Sequence, residues 1–130
     1  MIGYFLTLAT ASALSPGTAE LTFDGETTSH HIAACSLEAQ DAMPPRLLIQ
    51  DTDVTLNVSR VDHMQVISVI RNNANWSATR MFIGGQWLDG GQPSEPIVSE
   101  WGDMIRVQAT LTTTSGPGEK PVTLIANCRG

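Results

Sequence analysis

The chain of 130 residues is the length of one domain, and its 42% hydrophobic content supports one buried core rather than a membrane protein. Thirteen acidic against seven basic side chains leave a net charge of −6, which repels phosphate backbones and anionic lipid, so nucleic acid is not an expected partner. Two cysteines without a CxxC spacing exclude a paired-thiolate zinc site.

Met1 to Ala13 is an uncharged apolar run of signal-peptide length, broken by Ser15-Pro16-Gly17. It is shorter than the roughly 20 apolar residues a bilayer-spanning helix needs, so no stable membrane span is expected. Gly17-Thr18-Ala19 offers a cut ahead of Glu20, and Ala11-Ser12-Ala13 offers an earlier one. The expected organisation is a signal peptide over residues 1–19 and a single β-sandwich domain over residues 20–130, exported to the periplasm or secreted. The run departs from the usual leader in one respect, since no Lys or Arg precedes Arg46.

Val, Ile, Leu, Thr and Ser dominate the composition and favour strand over helix. Ala19 to Phe23 starts extended, and Asp24-Gly25 is a two-residue hairpin turn. The returning strand, Thr27 to Leu37, sets His31, Ala33, Cys35 and Leu37 on one face. Glu38 to Pro45 is a polar loop closed by two prolines, followed by a short strand from Arg46 to Gln50. Asp51-Thr52-Asp53 turns into an alternating run, Val54, Leu56 and Val58, and Val61-Asp62-His63 makes the next corner. Met64 to Ile70 is a β-rich run whose only polar members are Gln65 and Ser68, and Arg71 to Asn75 is a turn cluster.

Trp76 to Ile83 returns extended, and Gly84-Gly85 turns it into Gln86-Trp87-Leu88. Asp89 to Pro96 is a breaker-rich surface loop, and Ile97 to Trp101 a short edge strand. Ile105, Val107, Ala109 and Leu111 alternate strictly with polar residues, the clearest half-buried strand of the chain. Ser115 to Gly118 turns it into a last strand with Val122, Leu124, Ala126 and Cys128 on one face. No helical periodicity appears. About seven to nine short strands with frequent turns predict an all-β fold, an antiparallel β-sandwich or flattened barrel.

Alternation points Cys35 and Cys128 inward, so a core disulfide between them is expected to close the fold. Closing so long a loop stabilises by about 4–5 kcal/mol in the chain-entropy model. Neither cysteine has a basic neighbour or helix N-terminus to favour a thiolate, so no catalytic role is expected. His30-His31 cannot chelate one metal together, because neighbours on a strand face opposite ways. His63-Met64, with Met43, Met81 and Met104, suggests a soft copper site as an alternative function. The spacing departs from that of small periplasmic copper carriers, and no His-x-Met exists. The acidic residues Asp51, Asp53, Asp62, Asp89 and Glu95 fall in turns, where they cap amides. A small hydrolase would need two of the chain's carboxylates to converge, and no nucleophile-elbow, phosphate-loop or HExxH motif is present. The chain is therefore expected to be non-enzymatic, with no cofactor and no metal. Trp76, Trp87 and Trp101 lie beside loops; Trp87 and Trp101 are the candidate contacts for a protein or glycan partner, and the alternative is that they plug the sandwich end.

The order of features resembles the LpqH-like lipoprotein-antigen family of actinobacterial cell envelopes. The likeness runs over residues 20–128 and rests on four features. These are the opening strand and turn Leu21 to Gly25, the second strand ending in Cys35, a middle of paired short strands, and the last strand Val122 to Cys128. The resemblance implies an envelope-associated exported β domain with one disulfide, no catalytic residues, and a role in surface presentation or host contact. The family's lipobox cysteine is missing from Leu14 to Glu20, so a lipid anchor is not implied.

Overall fold

Alternating apolar residues give strands with one wet and one dry face, and such strands are stable only when the dry faces meet. In the computed structural model, which describes residues 14–36, 46–61, 63–113 and 116–129, twelve strands meet this demand by forming one curled antiparallel sheet. They are β1 (Thr18–Phe23), β2 (Glu26–His31), β3 (Ala34–Ser36), β4 (Arg46–Gln50), β5 (Thr55–Val61) and β6 (Met64–Arg71). The second half adds β7 (Ala74–Ile83), β8 (Gln86–Asp89), β9 (Gln92–Pro93), β10 (Val98–Trp101), β11 (Met104–Thr113) and β12 (Glu119–Asn127). The leader run Met1 to Ala13, the loop Glu38 to Pro45, Asp62 and Ser115 lie outside the described residues.

The sheet order is β2-β1-β12-β11-β7-β6-β5-β4-β3, and its two ends are consecutive in the chain. Ile32-Ala33 joins them: Ile32 N–H donates to the Gly17 carbonyl at 2.8 Å and Ala33 N–H to the Leu48 carbonyl at 2.8 Å. One bend is thereby hydrogen-bonded to both halves, which curls the sheet into a flattened half-barrel. Its interior takes Leu21, Phe23, Val107, Leu111 and Leu124 from one half, and Leu47, Ile49, Leu56, Ile67 and Val69 from the other.

Among the described residues β7 and β11 pair at two positions, Ser77 with Thr112 and Trp76 with Thr113. Beyond that joint they take different neighbours, β8 on β7 and β10 on β11. The wedge between them is pinned by Gln65, whose Oε1 accepts the N–H groups of Ile97 at 2.7 Å and Val98 at 3.2 Å. Gln108 N–H donates to the Ile97 carbonyl from the β11 side, and Arg60 pairs with Glu100.

The expected disulfide is present: Cys35 and Cys128 are bonded with Cα atoms 5.9 Å apart, 93 positions apart in sequence. It ties β3, which pairs with β4, to the end of β12, and is consistent with an oxidising, exported location. No helix among the described residues is long and apolar enough to cross a membrane.

The single strand expected from Thr27 to Leu37 is two strands, because its middle leaves one half of the sheet for the other. The bend also shifts the alternation. His30, not His31, is the inward one, with Nδ1 against Asp51 and Nε2 2.6 Å from Thr28 Oγ1, while His31 is exposed.

Candidate functional site

Two tight turns frame an aromatic-walled depression on the surface. Asp24-Gly25 joins β1 to β2 with φ of 54° and 84°, and Asn72-Asn73 joins β6 to β7 with φ of 54° and 63°. Positive φ at both central positions is the type I′ turn, whose twist matches the strands it connects. Such turns hold their flanking side chains in fixed positions. Between them lies an open depression of about 420 Å³ lined by Phe23, Asp24, Glu26, Arg71, Asn72, Ala74, Trp76 and Lys120.

Trp76 is half-buried because β7 alternates Trp76, Ala78 and Arg80 inward, and the ring reaches the edge of the core. Phe23, inward on β1, meets it edge-on with centroids 6.4 Å apart. Lys120 Nζ lies 5.1 Å from the Trp76 centroid and 5.8 Å from that of Phe23, and donates to Asp24 Oδ2 at 2.7 Å. Arg71 Nη2 donates to Glu26 Oε1. The mouth thus carries two cations and two carboxylates, each cation engaged by one carboxylate. A second, smaller depression of about 260 Å³ is lined by Asp51, Thr52, Asp53 and Thr55 and has Arg71 and Asn72 in common with the first.

Trp87 and Trp101, the sequence candidates, do not come together. Trp87 sits opposite Phe82 on the inward register, its ring 5.2 Å from that of Phe82. Trp101 sits opposite Met104 on the outward register and is 50% exposed. The two indoles therefore face opposite sides of the curled sheet. Their region is held by Arg80, a buried side chain that pairs with Asp89 at 3.4 Å and donates to the Glu95 carbonyl at 3.2 Å. His63 lies in an exposed turn, and Met64 is set directly opposite Met81, which is 40% exposed on the outer face. Met43 lies outside the described residues. Among the described residues no group of three or more His, Cys, Asp and Glu could hold a metal ion.

The turn residues of the mouth were visible in sequence as turn residues, and Trp76 as a loop-side tryptophan. Their convergence was not, because Arg71 meets Glu26 across 45 positions and Lys120 meets Asp24 across 96. The arrangement defines a disulfide-closed, all-β domain with a charge-paired aromatic mouth. Comparison with family models, curated proteins and solved structures found no match.

Proposed function

We propose that this chain is an exported, non-enzymatic binding domain of the cell envelope, with the Trp76 mouth as its ligand seat. The observation that carries the reading is the depression of about 420 Å³ that joins an aromatic wall to polar groups of both signs, the usual make-up of a recognition site. The disulfide, the apolar leader run and the resemblance to the LpqH-like family support the envelope setting. Trp101, exposed on the outer face, is the second contact point of the domain, and Trp87 braces Phe82.

The mouth brings two carboxylates together, the feature a small hydrolase would need. Asp24 and Glu26 are each tied to a cation, with side chains 54% and 59% exposed. Glycoside hydrolysis instead calls for one carboxyl in apolar surroundings that keep its proton. The environment of the pair supports binding over hydrolysis.

Co-sedimentation of the disulfide-intact protein with envelope fragments of the producing cell tests the proposal. Wild type is expected to sediment with the fragments, Trp76→Ala to lose at least about tenfold in affinity, and Ser29→Ala on the outer face of β2 to bind as wild type. Wild type that stays in solution, or Trp76→Ala that sediments unchanged, would overturn it.

A further inference from the structure

Resting on that reading, we propose that the mouth takes a neutral saccharide chain of at least two sugar units. The charges argue against an anion. Lys120 is balanced by Asp24 and Arg71 by Glu26, so the mouth has no unpaired cation, and Asp51 and Asp53 of the second depression and the chain's net charge of −6 disfavour an acidic ligand. A neutral ligand can still bind strongly if it both donates and accepts. Sugar hydroxyls do both, and the rim presents them with carboxylate acceptors on Asp24 and Glu26 and donors on Arg71 and Asn72.

The ion pairs also hold these groups in place, so their ordering cost is met before the ligand arrives. The half-buried Trp76 ring, held by its edge contact with Phe23 and with Lys120 Nζ over it, supplies an apolar wall for the C–H groups of a pyranose. The ligand's length rests on the second depression: the two, of about 420 Å³ and about 260 Å³, are neighbours with Arg71 and Asn72 in both walls, so a chain seated in one and passing over these residues reaches the other. Arg71 and Asn72, at the shared boundary, are the residues that would bridge adjacent sugars.

Isothermal titration of the disulfide-intact chain with neutral trisaccharides of glucose, mannose, galactose and arabinose tests this, with the corresponding monosaccharides and trigalacturonate as comparators. At least one neutral trisaccharide should bind about tenfold or more tighter than its monosaccharide and than trigalacturonate. Trp76→Ala should weaken it by about thirtyfold. Asn72→Gly should weaken it by about fivefold; the φ of 54° at that position suits glycine, so this variant keeps the turn even if Trp76→Ala unfolds. Failure of every neutral trisaccharide, preference for trigalacturonate, or indifference to Asn72→Gly would overturn the assignment. Envelope co-sedimentation that survives such a failure would leave the binding reading standing, whereas loss of both would remove both.

Discussion

Gln65 shows what a single side chain contributes here. It is 4% exposed on a strand otherwise filled inward by Ile67 and Val69, and alternation alone places it inside. What alternation does not reveal is its partner, because the two N–H groups it accepts belong to Ile97 and Val98, more than 30 positions away. Replacing it by leucine leaves two backbone donors near the core without an acceptor, each costing about 1–3 kcal/mol. Gln65→Leu should therefore lose about 2–6 kcal/mol in equilibrium urea unfolding. A loss below about 0.5 kcal/mol, the scale of an ordinary surface change, would mean the acceptor is dispensable. Arg80 follows the same logic: Trp76 and Ala78 put it on the inward register, and its contacts to Asp89 and Glu95 give the following loop its shape.

At the scale of elements, alternation identified β1, β5 and β11 because each carries one dry face against a continuous core. It missed the break at Ile32-Ala33, whose cause lies in carbonyls of Gly17 and Leu48 on two other segments. It also missed β9, since Gln92-Pro93 sits in a breaker-rich stretch and pairs only with β8. β1 bears on where a leader would be cut. Thr18 and Ala19 belong to it, Ala19 is fully buried opposite Ala126, and Gly17 N–H donates to the Asn127 carbonyl at 2.8 Å. Asn127 also donates its side-chain N–H to the Leu14 carbonyl at 3.0 Å. A chain starting at Glu20 loses these contacts, and one starting at Leu14 keeps them. At about 1 kcal/mol per hydrogen bond, the shorter chain should be about 2–3 kcal/mol less stable in urea unfolding. Cleavage after Ala13 is accordingly the expected processing, read directly by intact mass; equal stability of the two chains would remove the argument.

For the molecule as a whole, the all-β class and the Cys35–Cys128 link were legible because both follow from inward-facing positions on strands. The mouth was not, since Asp24, Arg71, Asn72 and Lys120 meet only once the sheet has curled. The disulfide guards that curl. β3 pairs with β4 on one side and is tied to the end of β12 by the disulfide. Substituting both cysteines with alanine releases a loop constraint over 93 positions and should cost about 4–5 kcal/mol, measured by urea unfolding against the oxidised wild type. A cost under about 1 kcal/mol would show that hydrogen bonding at Ile32-Ala33 closes the sheet unaided.

The side-by-side pairing of β1 and β12 also fixes how the domain would stand on a support. Leu14 and Asn127 meet at one pole of this strand pair, and Asp24 and Lys120 meet at the other, some 17–20 Å away for strands of this length. A tether joined directly ahead of Leu14 or just after Asn127 would hold the proposed saccharide seat at the far pole, like a cup on a stem.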